Sequence, residues 1–397
     1  MLPVAVSPDD PIQRYLLLGL RLGQHVPGFV DAYYGPPELA ERVEGESPSE
    51  PSLLAEEARS LSSAIDENDE LEGSRRRWLR AQLGGLETVA RRLSGEEIGY
   101  ADEVERCYGV RPALVPEEEF AHAHEALDEV LPGTGPVKER HQAWQESQVV
   151  EADALLPVFE RLAGELRSRS TALFGLPDGE AVELELVRGE PWLAFNYYLG
   201  KLRSRVVFNT DLPWRATDLL PVVAHELYPG HHAEHAWKEA LLVRGHGQLE
   251  ETALLVGTPQ SLVSEGIATV APEIVTGDDP DALAAEILRP LGVPYDPELA
   301  AVARGEAEAL AHVVPNAAYM LHEQGLAFDE VRQYSRRWSL ASDDRVEKGL
   351  QFVTDETWRA YIFCYTDGLR LARGFVGGDQ ARFRRLLTEQ FVPADLV

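Results

Sequence analysis

The chain reads as a mostly α protein with a small β-sheet (α+β), on three observations. Apolar residues recur at helical spacing in Ile12 to Leu22, Leu53 to Ile65 and Arg75 to Leu93. The period drops to two between about 181 and 211, where Ala181-Val-Glu-Leu-Glu-Leu-Val alternates; Trp192–Leu199 and Ser204–Asn209 are further strand candidates. Helical patterning then returns and fills almost everything from Ala282 to the end.

Taken in order, residues 1–136 predict a helical N-terminal lobe. Within it, Val30-Asp-Ala-Tyr-Tyr-Gly-Pro-Pro reads as a turn carrying two aromatics. Leu131-Pro-Gly-Thr-Gly-Pro136 is the clearest punctuation and marks the boundary to a second lobe, 137–397. That lobe opens with a long helical region, Val137 to Leu173, and holds the small sheet and a helix at about 218–235; the two lobes are expected to form one compact unit. Residues Glu250 to Pro272 read as helical.

At 397 residues the chain can bury a large core. Its formal charge of −30 makes nucleic acid and anionic membrane poor partners, because binding phosphates relies on basic patches. No apolar run reaches bilayer length. The start, Met-Leu-Pro-Val-Ala-Val, lacks the basic region of a signal peptide, and the two cysteines, Cys107 and Cys364, suggest no disulfide framework. A cytoplasmic setting is expected.

The chemistry concentrates in Pro221-Val-Val-Ala-His225-Glu226-Leu-Tyr-Pro229-Gly230-His231-His232. Neutral imidazole is a good zinc ligand, and a glutamate just after the first histidine is the general base of helical metalloprotease motifs. Thr217 or Asp218 is expected to cap this helix, with Pro221 in its first turn. Six steps of about 100° put His231 well off the face of His225, whereas His232 returns to that face about 10 Å along the axis. A regular helix therefore does not join His225 to His231. Pro229-Gly230 predicts a break that swings His231 back; His232 is the alternative if the helix continues.

A catalytic zinc takes a third protein ligand and keeps one position open. Glu265, inside the apolar stretch Ser261-Leu-Val-Ser-Glu-Gly-Ile-Ala, is the candidate, since a buried carboxylate needs a partner or a metal. Gly266 would let another backbone or the metal approach, and Glu273 could orient a ligand histidine. With zinc lowering the pKa of its water to about 7, Glu226 takes the proton as the water attacks a carbonyl. The oxyanion needs a further donor, and Tyr361 or Tyr365 could supply it, the alternative being buried structural tyrosines. His122-Ala-His124, His235, His246, His312 and the His322-Glu323 pair read as structural or surface residues.

These residues carry a resemblance. His225-Glu226-x-x-Pro229-Gly230-His231 resembles the H-E-x-x-P-G-H signature of the bacterial domain-of-unknown-function family 885, predicted zinc metallopeptidases similar to zincins. Glu265-Gly266 resembles that family's E-G-W segment, with Ile267 in place of the tryptophan, and Tyr365-x-x-Gly368 its late Y-x-x-G segment. The resemblance spans about Ser204 to Arg373. It implies a zincin-like catalytic lobe in which His225, His231 and Glu265 bind Zn2+, Glu226 is the base and Tyr365 assists the oxyanion. A zinc-dependent metallopeptidase acting on a peptide or small amide is the leading expectation. A zinc hydrolase of another amide or ester, and a helical scaffold with a structural or lost metal site, are the alternatives.

Overall fold

The computed structural model describes residues 10–190, 192–277 and 279–397. The opening segment read for a leader falls almost wholly outside them. Helix makes up 65% of the chain and strand 7%, which agrees with a mostly α chain carrying small sheets. No helix among the described residues is long and apolar enough to cross a membrane. Both cysteines are free and buried.

The strands are β1 (Val30–Tyr33), β2 (Ala181–Val187), β3 (Ala194–Tyr198), β4 (Arg203–Asn209) and β5 (Ala253–Leu255). The predicted sheet forms in the order β2-β4-β3, with β2 parallel and β3 antiparallel to β4. This leaves β3 as an edge. β1 and β5 form a separate antiparallel pair that the sequence reading missed. Val30–Tyr33 is a strand and not a turn, and 249–255 is a 3-10 turn followed by β5 and not helix. Strands of four and three residues are too short to show a period, so only the long-range pairing defines them. The helical region 137–173 divides into Val137–Ser147 and Ala152–Phe174, because the backbone between them turns aside and Val150 N–H bonds the Trp214 carbonyl at 2.9 Å.

Among the described residues two large apolar cores, with a small third around Leu127, Leu131 and Trp144, hold the chain. One joins side chains of the first 120 residues, such as Tyr15, Leu61, Leu83 and Phe120, to Leu262, Ile267, Phe363 and Leu386 from the second half. The other lies between the Ala152–Phe174 helix, the three-stranded sheet and the helix Ala216–Glu226. There Phe159 stacks on Phe208 at 3.9 Å, and Trp214 meets both rings edge-on at 5.0 and 5.8 Å.

Candidate metal centre

The helix Ala216–Glu226 carries His225 and Glu226 on its last turn. Neither Thr217 nor Asp218 caps it, contrary to expectation: Arg215 is the N-cap and no side chain closes it. Its start is tied instead through Ala216 N–H to the Gln148 carbonyl at 2.8 Å, and Pro221 lies inside the helix, beyond the first turn. The apolar face, Leu219, Leu220, Val223 and Ala224, is buried in the second core and fixes how the last turn emerges.

The helix stops at Glu226, and a new one, His231–Lys238, begins after four intervening residues. Between them Leu227 leaves the helical region, the Tyr228-Pro229 bond is cis, and Gly230 N–H reaches back to the Ala224 carbonyl at 3.0 Å. A Cβ on Gly230 would lie 1.8 Å from the His225 carbonyl oxygen, so only glycine permits the chain to double back this closely. The predicted break is therefore present, and it brings the rings of His225 and His231 to 4.7 Å, perpendicular to each other. His232 points elsewhere. Its Nε2 is 2.8 Å from Glu180 Oε2 and its Nδ1 2.8 Å from Ser204 Oγ, so both ring nitrogens are engaged in a buried network. Glu180 also accepts from Tyr228 at 2.6 Å and from Arg167 at 2.7 Å, which pins the turn from beneath.

The helix Pro259–Thr276 brings Glu265 to the two histidines. Its Oε2 lies 3.4 Å from His225 Nε2 and its Oε1 3.7 Å from His231 Nε2. These distances are long for hydrogen bonds, and Glu265 Oε2 is buried with no hydrogen-bond partner. A tetrahedral centre with ligand bonds near 2.1 Å spaces its ligand atoms roughly 3.4 Å apart. The three side chains, with ligand atoms all within 4.8 Å of one another, thus fit a divalent cation. His225 and His231 keep 20% and 15% of their side-chain surface exposed while Glu265 keeps 7%, so the histidines are the more solvent-accessible members of the set.

Gly266 serves as expected, admitting another backbone. A Cβ there would meet the Gly368 carbonyl oxygen at 2.5 Å, and the helix Ile362–Val376 packs tightly on this face. The residue just before that helix, Tyr361, donates to Glu265 Oε1 at 2.7 Å. Tyr365 lies one turn on, its ring 5.7 Å from Tyr361. The residue keeps 37% of its surface exposed, but desolvation of its hydroxyl end, with the negative charges of Glu265 and Glu226 nearby, raises its pKa and keeps the hydroxyl protonated. Glu273 does not orient a histidine; Arg373 pairs with it at 2.6 Å, because two turns carry it out of the site. His124 and His322 bond the carbonyls of Trp338 and Val353, in keeping with structural roles.

Burial also raises the Glu226 carboxyl; the imidazoles of His225 and His231 pull it down, and Glu265 pushes it up. Burial lowers His231, yet Glu265, Glu226 and Glu234 outweigh it and carry the imidazole up to about 9, the signature of a site built for positive charge.

Sequence reasoning missed the residues that orient this set. Ser264 Oγ lies 3.3 Å from His231 Nδ1 and donates to Glu234 Oε2 at 2.6 Å, while Lys238 Nζ donates to Glu234 Oε1 at 2.6 Å. Glu234 and His235 also lie within 4.8 Å of His231, but the Glu234 carboxylate is already taken by Lys238 and Ser264. Asn196, on the edge strand β3, donates to the Glu226 carbonyl at 2.6 Å. Asp31 lies close enough for His231, Glu265 and Glu226 to act on its charge, and burial above all, with those two carboxylates, pushes it up to about 7. Ser264 adjoins Glu265 in sequence and could have been found; nothing in the sequence joins Asp31 to the site.

No family model and no curated protein matches the chain. Among solved structures, it is similar to a protein from Colwellia psychrerythraea described as "the putative lipoprotein". The identity is 16% and the TM-score 0.53, over 90% of this chain and 68% of that one. At that identity the likeness concerns the fold alone.

Proposed function

We propose that this chain is a zinc-dependent metallopeptidase with a zincin-like catalytic lobe. One observation carries the reading: two histidines and an unpartnered buried carboxylate oxygen at metal-ligand separations, with Glu226 beside them. The resemblance to domain-of-unknown-function family 885 supports the same roles. His225, His231 and Glu265 would hold Zn2+, which when bound supplies a Lewis acid and makes water more acidic.

Glu226 takes the proton from the attacking water. Its raised pKa brings the carboxylate closer to neutrality, where a general base is most effective. It then returns the proton to the leaving amine. Tyr365, neutral at working pH, donates to the oxygen that gains charge, while Tyr361 holds Glu265 in place. The free edge of β3, joined to the metal helix through Asn196, suits an extended peptide added as a further strand.

The test is Glu226→Gln against His225→Ala. The glutamine variant is expected to keep stoichiometric zinc and lose hydrolysis by roughly 10²–10⁴-fold, whereas the alanine variant loses the metal. Hydrolysis by Glu226→Gln at the wild-type rate would reject the base assignment. A purified protein that takes up no transition metal would reject the enzyme. A peptide library set against N-acyl amino acids decides between peptides and other amides.

A further inference from the structure

We propose that a cavity at the start of β3, walled by Arg345 and Lys348, holds a carboxylate of the substrate. The enzyme then cuts peptides about three residues away from that carboxylate. This rests on the metallopeptidase reading above and names its substrate class.

Arg345 and Lys348 stand three apart on the helix Asp343–Thr354 and so share a face. With Trp192, Leu193, Asn209 and Leu212 they line a cavity of about 220 Å³. No acidic side chain lines it, and neither cation makes a hydrogen bond or ion pair among the described residues. Acids of the same helix are claimed elsewhere. Glu347 pairs with Arg332 at 3.0 Å and Arg336 at 3.3 Å, and Asp343 lies 3.5 Å from Arg336, all towards the helix Phe328–Trp338. Asp344, one turn before Lys348, and Asp218, whose charge Arg345 feels, form no ion pair with either cation. Asn209 is also spent: its Nδ2 donates to the Glu190 and Trp192 carbonyls and its Oδ1 accepts from Asp211 N–H, so it holds the wall in place.

The cavity lies on the path of a peptide added to the edge strand. Trp192 and Leu193 run directly into β3, and three residues past Leu193, Asn196 donates to the Glu226 carbonyl. At about 3.3 Å per residue the two points are roughly 10 Å apart along the strand. Leu193 O accepts from Asn209 N and Leu199 N donates to Arg203 O, so the odd-numbered residues bond β4. By alternation Ala194, Asn196 and Tyr198 turn their backbone groups to the open edge, where a substrate strand would keep step with them. The residue about three places from the one beside Asn196 then arrives at the two cations. Charge decides what is held there. An ammonium would be repelled, whereas a carboxylate would meet a guanidinium fork and an ammonium beside the apolar walls of Trp192, Leu193 and Leu212. A terminal carboxylate is the anion every peptide carries, and an aspartate or glutamate side chain offers the same chemistry.

The experiment uses zinc-saturated Glu226→Gln as parent, so that peptides are bound and not cut. It is compared with the parent carrying Arg345→Gln and Lys348→Gln, and with the parent carrying Lys201→Gln, which removes a cation from the turn at the other end of β3. Zinc content and melting temperature are measured on all three. Calorimetry is run with acetyl-Leu-Ala-Leu-Ala-Leu as free acid, with its C-terminal amide, and with the amide of acetyl-Leu-Ala-Leu-Ala-Glu. The parent is expected to favour the free acid over its amide by roughly ten- to hundredfold, the range of one hydrogen bond between charged groups. The double substitution abolishes that preference and leaves binding of the first amide, zinc content and melting temperature unchanged; Lys201→Gln keeps it. Tight binding of the glutamate amide extends the site to acidic side chains, and its weak binding confines the site to the terminal carboxylate. Equal binding of acid and amide by the parent, no binding of any peptide, a preference that survives the double substitution, or one that Lys201→Gln also abolishes overturns the proposal. With wild type, product analysis of free-acid peptides of graded length should find the cut at a constant distance of about three residues from the carboxylate; a cut at constant distance from the amino end overturns the spacing. Acid preference without cutting by wild type would sink the peptidase reading and leave the carboxylate site standing, whereas cutting without acid preference would do the reverse.

Discussion

Gly230→Ala should dismantle the metal centre while leaving most of the protein folded. The new Cβ would lie 1.8 Å from the His225 carbonyl oxygen and 2.6 Å from that of Ala224, and real Cβ atoms stay beyond 3.0 Å, so the turn must open by about 1.2 Å. Both contacts are backbone atoms of the helix that ends in His225, and no flexible side chain can give way. His231 follows directly and moves with the turn. Metal-ligand distances hold to about 0.2 Å, so the displacement is several times what the centre tolerates. Zinc affinity is expected to fall by more than the 10–100-fold attached to loss of an outer partner. Titration against a competing chelator measures this, and thermal unfolding confirms that the variant is folded. Gly84→Ala is the control. It lies in the Gly73–Leu93 helix with nothing within 4 Å of its Cβ, and should add about 0.5–1 kcal/mol of stability without touching zinc. Wild-type zinc affinity in Gly230→Ala would refute the claim that this close crossing aligns the histidines.

Further outcomes follow from the groups around the site. Tyr361→Phe removes the hydrogen bond to Glu265 Oε1, and Ser264→Ala removes the contact to His231 Nδ1; each should weaken zinc binding by roughly 10–100-fold in the chelator titration. Tyr365→Phe should lower turnover with unchanged zinc content, measured by steady-state kinetics on metal-saturated protein. Burial alone would raise the Glu180 carboxyl, but hydrogen bonds from His232, Tyr228 and Arg167 outweigh it and hold it down to about 2. A folded pKa below the ordinary value of 4.5 adds stability that is complete above that value and is lost as pH falls towards 2. Melting temperature should therefore drop across that window, and the drop should be shallower in Glu180→Gln.

What could be read from the sequence was local chemistry. The His225-Glu226 pair, the Pro229-Gly230 break and a carboxylate within an apolar helix each announce themselves within a dozen residues, and the structure brings these residues together. The choice of His231 over His232 needed the fold, because it turns on Glu180 and Ser204, which lie on other elements. The same holds for β1 and β5, whose pairing spans more than two hundred residues and leaves no periodic trace in either segment. Glu273 shows the opposite error: helical spacing alone suggested a partner for a histidine, and a passing arginine claimed it.

His225 grows from a helix rooted in one apolar core, and Glu265 sits on a helix whose Leu262, Val263 and Ile267 belong to the other; the short helix of His231 touches both, through Ala233 and Trp237. A cation held by all three would act as a rivet between two bodies of oil. Any substitution that slides one body against the other, however remote, would loosen the rivet, and any ligand that tightens the seam would strengthen it.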